Sequence, residues 1–345
     1  MKKLNKKQSN YFKNRAKEFF VENKKSIASL PRNALVEITN ACNHACVFCY
    51  NPRMKRKIKT LPLKTFEKFV KNAFVSGLEE IGLYSTGEPF MTKNIDQYVA
   101  IAKKNKIKRI YITTNGALAK ISSVEKCIKE GLNSIKFSIN AATRESYKII
   151  HGYDDFEKVV KNIKDLKDYI KKNNLETQML CSFVYTNLTE KEISLFKSKF
   201  SKYFQDIQFI KAHNQSGALV NENKALTKNV EPEPEVEFTY KPCEMLWNRI
   251  HLTAEGYLTA CCTDYENNLI YEKFEENVDL LKQFNNSKMI NLRKKHLDNN
   301  LDGLLCKSCI YNKDYKYKPI SNFNTEFTKV NLKKFQSLND RIKKI

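Results

Sequence analysis

The sequence has no run of about 18 consecutive apolar residues, and no apolar stretch follows its lysine-rich first dozen residues. These absences exclude an ordinary transmembrane helix and a secretory signal peptide, and they predict a cytoplasmic protein. Internal repeats and low-complexity tracts are also missing, apart from the short EPEPEVE segment at 231–237. A repeat architecture is therefore not expected.

Acidic residues are scarce relative to basic ones, with 38 Asp and Glu against 61 Lys and Arg, for a formal net charge of +23. A positive charge of this size is compatible with binding to nucleic acid, to an anionic membrane or to a phosphorylated substrate. Lysine, however, far outnumbers arginine, and the interleaved arginines and aromatics of a nucleic-acid surface are missing. Compositional drift is the favoured interpretation, and nucleic acid is not an expected partner.

Strand-like and helix-like runs alternate through the first two thirds of the chain. One helical run places Phe66, Phe69, Val70, Ala73 and Phe74 at helical spacing. Alternation of this kind requires a parallel sheet with right-handed crossovers, as an open doubly wound sheet or as a complete or partial barrel. Six strands are predicted, at 34–40, 80–86, 109–115, 134–140, 177–187 and 206–214.

The pattern divides the 345 residues into one main domain and smaller parts. Residues 1–30 are predicted to be a basic helical extension packed on the main domain at 31–214. A linker with proline and acidic residues follows at 215–241, and then a cysteine-bearing segment at 242–312. The basic tail at 313–345 is predicted to be a docking segment or partly disordered.

The stretch NACNHACVFCYNP, residues 40–52, holds Cys42, Cys46 and Cys49 within eight positions. In a reducing compartment, clustered cysteines favour metal binding or catalysis over disulfides. Structural metal sites usually take four ligands, and His44 is the local candidate for a fourth, although a solvent-facing polar residue in the loop is the favoured interpretation for it. Three thiolates on a cluster of four irons would leave one iron open for chemistry.

Polar residues follow several of the predicted strands. Singly, each is explained by turn or capping chemistry. Together they lie at carboxyl ends of parallel strands, which share one face of the sheet, beside the cysteine loop. We therefore expect one shared site that includes Gly87, Glu88 and Pro89, Thr114 and Asn115, Ser138 and Asn140, and His213 and Asn214.

Residues 34–214 resemble the radical S-adenosylmethionine superfamily. The resemblance lies in the Cys-x3-Cys-x2-Cys spacing with Phe48, the Gly87-Glu88 strand end, TTNG at 113–116 and SIN at 138–140. The resemblance implies a partial barrel of six strand–helix units. It also implies a [4Fe-4S] cluster on Cys42, Cys46 and Cys49, with S-adenosylmethionine on the fourth iron. The family's Gly-Gly-Glu pattern reads Thr86-Gly87-Glu88 here, so its first glycine is replaced. The implied cofactor-binding residues are Phe48, Gly87, Glu88, Thr114, Ser138 and Asn140.

A second set of thiols comprises Cys243, Cys261, Cys306 and Cys309. Their spacing suits zinc or an iron–sulfur cluster and does not choose between them. Attached to such a barrel, the segment resembles the SPASM/twitch module, in its short form, which implies one auxiliary [4Fe-4S] cluster. Cys262 is left as packing, an alternative ligand or a thiol near the site. Trp247, His251 and Tyr257, around a predicted hairpin, are expected to be core or cluster cover.

The resemblance implies an enzyme that cleaves S-adenosylmethionine with an electron from a donor such as flavodoxin or ferredoxin. The four-cysteine spacing is most similar to aminocyclitol dehydrogenases, which implies oxidation or epimerisation of a sugar, aminocyclitol or related small metabolite. A phosphorylated or nucleotide-linked form would suit the basic surface. Peptide or protein modification is the alternative, and a non-catalytic nucleic-acid-binding protein ranks last.

An epimerase needs a thiol that returns a hydrogen atom to the substrate, and Cys262 and Cys181 are the candidates for it. For Cys181, as for Cys127, a small buried hydrophobe is the favoured interpretation. His213, Arg249 and Asp264 are candidates for a catalytic base by position alone.

Overall fold

The computed structural model of the chain describes residues 10–228, 230, 238–328, 332–343 and 345. Within these ranges, each of the six predicted strand segments contains a strand, shorter than its predicted range. The six strands run parallel, and each pairs with the next in sequence. They are β1 (Asn33–Val36), β2 (Glu80–Gly82), β3 (Arg109–Thr114), β4 (Ser134–Ser138), β5 (Gln178–Tyr185) and β6 (Asp206–Lys211).

Three further strands extend the same sheet beyond β1. β7 (Ile250–Leu252) pairs in parallel with β1, and β8 (Tyr257–Thr259) and β9 (Ile270–Lys273) continue antiparallel. The order β6-β5-β4-β3-β2-β1-β7-β8-β9 leaves β6 and β9 as the two edges in the described chain. The predicted partial barrel is therefore confirmed, and the C-terminal hairpin is continuous with its sheet.

Thirteen helices are present in the described residues, and those between the six parallel strands provide the crossovers. They are α1 (Tyr11–Glu18), α2 (Leu63–Val75), α3 (Ile95–Lys104), α4 (Ile121–Lys129), α5 (Arg144–His151), α6 (Phe156–Lys172), α7 (Ile193–Phe200), α8 (Val220–Leu226), α9 (Met245–Asn248), α10 (Leu280–Phe284), α11 (Ser287–Leu297), α12 (Leu305–Tyr311) and α13 (Leu332–Ile342). None of these helices combines the length and hydropathy that crossing a lipid bilayer requires.

The core forms where the apolar stripes of these helices pack on the sheet. In α2 the predicted stripe is buried at Phe66, Phe69, Val70 and Ala73, each fully inaccessible to solvent. Phe74 was also placed on this stripe, and that prediction is wrong, because the ring is 39% exposed. Its position, one residue beyond Ala73, rotates the side chain away from the sheet by about 100°.

Helix α1 covers the amino-terminal end of the barrel. Its residues contact the first residues of three strands: Arg15 pairs with Glu80, Phe12 N donates to Asp206 Oδ2 at 3.1 Å, and Arg109 donates to the Tyr11 hydroxyl. The carboxyl ends of the strands, where the polar residues lie, are at the opposite end. The chain thus closes one end of the barrel with its own N-terminal helix.

The predicted linker and tail also pack on the barrel where the structure describes them. Residues 215–228 form a turn and α8, and Gln215 and Ser216 are buried. In the tail, Phe327 forms an isolated bridge with Arg56, and Leu338 of α13 is fully buried. Residues 1–9, 229, 231–237, 329–331 and 344 lie outside the described residues.

Candidate functional site

The three-cysteine loop leaves the carboxyl end of β1. Cys42, Cys46 and Cys49 are partly buried, and Cys49 N donates to Cys46 O at 3.1 Å. Two backbone bonds fix the loop against the end of α5: Ala45 N donates to His151 O at 3.0 Å, and Val47 N donates to Ile150 O at 2.9 Å. A short loop held in this way keeps its three side chains close together.

The thiols interact electrostatically. Burial raises the pKa of Cys46, and the neighbouring thiolates of Cys49 and Cys42 raise it further. A buried thiol whose ionisation is opposed by two neighbouring thiolates belongs to a donor set suited to a cation, which would stabilise all three thiolates at once. The loop therefore fits a metal cluster.

His44 and His151 lie beside Cys46, and the ligand atoms of the three residues are within 4.8 Å of one another. His44 Nε2 lies 3.1 Å from Asp155 Oδ2, and its ring stacks on Tyr153. These contacts give the His44 ring a role in holding the loop. The ring is 1% exposed, so the prediction of a solvent-facing residue is wrong. The proximity of His151 was not predicted.

Glu88 is buried at the end of the β2 segment. Its Oε1 accepts from Thr114 Oγ1 at 2.7 Å and from Phe90 N at 3.1 Å, and its Oε2 accepts from Asn115 N at 2.7 Å. Burial raises the pKa of Glu88 to about 7, against these hydrogen bonds, which favour the ionised form. The structure thus brings Glu88, Thr114 and Asn115 together, and it poises the carboxylate to ionise near neutral pH.

Gly87 lies against the cysteine loop. A Cβ at this position would lie 2.4 Å from Thr39 O and 2.6 Å from Ala41 O, closer than backbone atoms can approach. Glu88 N donates to Ala41 O at 2.7 Å, which joins the two loops directly. Only glycine permits this contact, so residue 87 sets the distance between Glu88 and the cysteines.

Thr86, which replaces the first glycine of the family pattern, has a local role. Its hydroxyl bonds to the Glu37 carboxylate, and its carbonyl accepts from Asn51 Nδ2 at 2.9 Å. The Glu37 carboxylate is held by Arg56, whose Nη2 lies 2.7 Å from both oxygens. All of these side chains are buried. The substitution therefore anchors the turn to a buried ion pair.

The other predicted cofactor-binding residues lie near α5 or the cysteine loop. Asn140 Oδ1 accepts from Val184 N at 2.7 Å, and its Nδ2 lies 3.4 Å from Ser138 Oγ. Phe48 is 9% exposed and belongs to an apolar cluster with Leu338 of α13. That same helix provides Arg341, which donates to Ala45 O at 2.7 Å and to Ile149 O at 2.8 Å. The tail therefore covers the cysteine loop, which no sequence motif indicated.

The second cysteine set also comes together. Cys306 and Cys309 lie one turn apart on α12, and the charges of Cys261, Cys243 and Cys309 add to burial in raising the pKa of Cys306. Gly217 allows the 214–217 turn to pack on α12, because a Cβ there would lie 2.7 Å from Cys309 N. Four thiols, from two loops and α12, thus converge.

Cys261 and Cys262 have different surroundings. Hydrogen bonds with Cys262, Ser216 and Thr263 lower the pKa of Cys261, and Ser216 Oγ lies 3.0 Å from its Sγ. The hydrogen bond to Cys261 and burial raise the pKa of Cys262, whose Sγ lies 3.6 Å from Met245 Sδ. The pKa of Cys261 is thus shifted in favour of the thiolate, and the pKa of Cys262 in favour of the neutral thiol.

A hydrogen-bonded path connects the two cysteine sets. The Tyr265 hydroxyl lies 3.3 Å from Cys49 Sγ and donates to Gln215 Oε1 at 2.9 Å. The next residue, Ser216, contacts Cys261. Tyr265, Gln215 and Ser216 were not predicted, since only their position in the fold gives them this role.

A cavity of about 550 Å³ lies inside the barrel and is bounded at the amino end by α1. Arg109, Lys136 and Arg249 line it, and none of the three forms a salt bridge with a described residue. Arg249 Nε instead donates to Asn33 Oδ1 at 3.0 Å, and Lys136 faces the Phe12 and Tyr84 rings. A cavity with uncompensated cations is suited to an anionic ligand.

The remaining candidates for catalytic residues differ in whether they lie at the cavity. Met245, which contacts Cys262, is part of the wall. Cys181 is fully buried in the core, on the strand position next to the wall residue Leu180, so it faces away from the cavity. His213 is exposed to solvent and does not line the cavity, and Asp264 accepts from the Leu269 and Asn268 backbones at 2.6 and 2.9 Å.

The predicted core residues around the hairpin are buried. Trp247 and His251 are 3% and 2% exposed, whereas Tyr257 is half-buried. Trp247 Nε1 donates to Lys25 O at 2.7 Å, which ties the N-terminal segment to the C-terminal one. Burial lowers the pKa of His251 to about 3, so its ring is neutral.

Comparison with solved structures supports this fold. BtrN in complex with AdoMet and 2-DOIA superposes with a TM-score of 0.57 at 17% identity, over 84% of this chain and 99% of that one. Streptococcus suis SuiB bound to the precursor peptide SuiA superposes with a TM-score of 0.60 at 17% identity, over 81% of this chain and 68% of that one. At these identities the likeness shows the fold alone.

Two curated relatives are similar in sequence. A GTP 3′,8-cyclase of Clostridium botulinum is 30% identical over 180 residues, which cover 51% of this chain and 54% of that protein. The match thus spans about half the length of this relative. A probable GTP 3′,8-cyclase of Methanocaldococcus jannaschii is 28% identical over 266 residues, which cover 67% of this chain and 84% of that protein. In addition, residues 36–192, which hold the three-cysteine loop and Glu88, match the Radical SAM superfamily.

Proposed function

We propose that this protein reductively cleaves S-adenosylmethionine and abstracts a hydrogen atom from a small, anionic metabolite. The observation that carries the proposal is the barrel cavity, in which Arg109, Lys136 and Arg249 have no carboxylate partner among the described residues. Guanidinium and ammonium groups in a partly desolvated cavity bind phosphate or carboxylate strongly.

The match to the Radical SAM superfamily implies a [4Fe-4S] cluster and S-adenosylmethionine. In the proposal Cys42, Cys46 and Cys49 hold the cluster, which supplies one electron to the sulfonium when bound. The ionised Glu88 accepts from the methionyl ammonium, and Thr114 and Asn115 N orient its carboxylate. Phe48, Gly87, Ser138 and Asn140 complete the cofactor-binding residues.

For the second set, we assign Cys243, Cys261, Cys306 and Cys309 to one auxiliary [4Fe-4S] cluster in a short SPASM/twitch module at 242–312. The convergence of four thiols, with Cys261 favoured as a thiolate, supports this assignment over one that uses Cys262. A flavodoxin or ferredoxin is the proposed electron donor.

Oxidation or epimerisation of a sugar or aminocyclitol, in phosphorylated or nucleotide-linked form, is the substrate chemistry that we propose. The cavity volume of about 550 Å³ suits a ligand of that size. A nucleotide is favoured within this class, because the two curated relatives are a GTP 3′,8-cyclase and a probable one. For epimerisation, Cys262 is the better hydrogen donor, since it is a neutral thiol beside the cavity wall and Cys181 faces the core.

Peptide modification is less well supported, although SuiB, of similar fold, was solved with a precursor peptide. Helix α1 lies across the amino-terminal end of the barrel and lines the cavity of about 550 Å³, a volume that suits a small ligand. A nucleic-acid-binding role is also less well supported, because binding nucleic acid does not require the buried Glu88 carboxylate and its hydrogen-bond donors.

The test is turnover by reconstituted protein with dithionite, S-adenosylmethionine and matched pairs of neutral and phosphorylated sugars, nucleosides and nucleotides. We expect 5′-deoxyadenosine to form, and to form faster with the anionic member of the accepted pair. Cys46→Ala should abolish cleavage, and Cys127→Ala, in the core, should not. Cleavage that persists in Cys46→Ala would overturn the cofactor assignment, and equal turnover of neutral and anionic partners would overturn the substrate class.

A further inference from the structure

His151 is the last residue of α5, and its position is fixed from both ends of that helix. Thr143 caps the amino end, where its hydroxyl accepts from Ser146 N, and Gly152 ends the helix in the left-handed conformation with φ of 78°. The His151 ring is 1% exposed and stacks on Tyr147 with ring centroids 4.1 Å apart. Its Nδ1 lies 3.5 Å from Cys46 Sγ, an ordinary distance for an N–H···S hydrogen bond.

The hydrogen bonds on the other side of the ring determine which nitrogen carries the proton. Asn140 N lies 3.3 Å from His151 Nε2, and a backbone nitrogen can only donate. The Asn140 amide also directs its Nδ2 to Nε2 at 3.3 Å, because its Oδ1 accepts from Val184 N. With two donors directed at it, Nε2 must be the acceptor. The proton of the neutral ring therefore lies on Nδ1, which points at Cys46.

We propose that His151 is a positioning residue that donates an Nδ1–H···S hydrogen bond to the Cys46 thiolate and raises the reduction potential of the cluster held there. The inference rests on the proposed assignment of Cys42, Cys46 and Cys49 as cluster ligands. A reduced cluster carries one more negative charge than an oxidised one, and an N–H dipole directed at a ligand sulfur stabilises the reduced form.

The surroundings make this donor effective. Val47 and Ile150, on either side of the contact, are fully buried in an apolar cluster with Phe48 and Leu338. Where water is excluded, a hydrogen bond to a charged group is stronger than at a solvated surface. The backbone bonds Ala45 N to His151 O and Val47 N to Ile150 O also hold Cys46 against the ring.

The test compares His151→Phe, which keeps the stacked ring and removes the donor, with His151→Asn, whose side-chain amide can donate from about the position of Nδ1. Tyr147→Phe is the matched control, because it alters the same buried contact without touching the hydrogen bond to Cys46. Iron content and circular dichroism establish that each variant is folded and loaded. The readout is the midpoint potential of the cluster, followed by electron paramagnetic resonance without S-adenosylmethionine.

We expect a more negative potential in His151→Phe, a smaller shift in His151→Asn and none in Tyr147→Phe. A loaded His151→Phe protein with the wild-type potential would overturn the proposal. If this variant does not load, ¹⁵N resonances of histidine in the metal-free wild-type protein decide, because a proton on Nε2 of His151 would overturn it and one on Nδ1 would support it. Failure of the underlying ligand assignment would look different, since Cys46→Ala would then retain the cluster.

Discussion

Thr114 donates its hydroxyl proton to Glu88 at 2.7 Å, across the space between the ends of β2 and β3. The acceptor is a buried carboxylate whose pKa is raised to about 7. This pair links a strand-end residue to a group that changes charge near neutral pH, and the protonation of Glu88 should therefore be measurable in both binding and stability.

Affinity for S-adenosylmethionine should rise with pH up to about 7, because in the proposed site the ionised Glu88 accepts from the ammonium group. Below that pH, we expect a loss of about tenfold per pH unit for a single ionisation. Thr114→Val removes a hydrogen bond that favours the ionised form, so the midpoint should move to higher pH. Calorimetric titration across pH 5–9 measures this, and an unchanged midpoint in Thr114→Val would contradict the role given to the pair.

The contribution of Glu88 to the free energy of unfolding should fall as pH rises, opposite to the trend in affinity for S-adenosylmethionine. The folded pKa of Glu88, about 7, lies above its ordinary value of 4.5, so the folded state retains a proton that the unfolded state has released between these values. The contribution of Glu88 to the free energy of unfolding is therefore full below about pH 4.5 and falls as pH rises to 7. Glu88→Gln does not titrate, and the difference between its urea denaturation curves and those of the wild type should follow this window.

Gly87→Ala should loosen the contact between the Glu88 turn and the cysteine loop. The added Cβ would meet Thr39 O at 2.4 Å, and overpacking of this kind costs about 1–3 kcal/mol of stability. Iron content and S-adenosylmethionine affinity should both fall. Gly303→Ala is the control, because its φ of 75° carries strain but no atom lies within 4 Å of the new Cβ. Equal cluster loading in both variants would argue against a spacing role for Gly87.

Metal analysis of cysteine variants should distinguish the cysteines that bind iron from those that do not. With both proposed clusters, reconstituted protein should bind about eight iron atoms per chain, and Cys306→Ala should reduce this to about four. Cys262→Ala should retain the full content, since Cys262 is a neutral thiol beside Met245. Zinc in place of the second set of irons would refute the auxiliary cluster, and iron loss in Cys262→Ala would exchange the roles of Cys261 and Cys262.

The cavity cations should determine substrate affinity. Arg249→Met and Lys136→Met should each raise the KM for an anionic substrate by about tenfold or more, as expected when a charge-assisted hydrogen bond of about 1.5–3 kcal/mol is lost. Lys164→Met, an exposed change on α6, should leave KM unaltered. Steady-state kinetics on the accepted substrate measures this, and unchanged KM values in both cavity variants would place the anion elsewhere.

Arg341 should protect the cysteine loop. Its guanidinium bonds to Ala45 O and Ile149 O, and Arg341→Met would leave both carbonyls without that donor. We expect the cluster in this variant to bleach severalfold faster in air, measured by its visible absorbance, because α13 would cover the loop less tightly. Lys343→Ala, two residues on, should bleach at the wild-type rate. Identical rates in the two variants would show that α13 does not shield the loop.

Local pattern was sufficient to predict the six parallel strands, because buried strands and amphipathic helices carry their own periodicity. The partial barrel was chosen over an open sheet through the family resemblance. It also indicated the three-cysteine loop, whose spacing is a short-range property. Cys243, Cys261, Cys306 and Cys309 lie far apart in the chain, so their grouping depended on the resemblance as well. The exposure of Phe74 was not predicted, because its position next to Ala73 in the sequence let it be counted with the buried residues of the helix. His151, Tyr265 and Arg341 could not be found in this way, because each is brought to a cysteine loop by segments 100 to 300 residues distant.

The parallel pairing of β7 with β1 has a consequence for any shortened form of the chain. Ala34 and Leu35 find partners on both sides, in β2 and in β7, and Val36 is paired with β7. A fragment ending at residue 214 would leave one side of this apolar strand with unpaired backbone groups, and a bare sheet edge of this kind recruits strands from other molecules. Such a fragment should self-associate, so β1 depends on the C-terminal segment for protection of its edge.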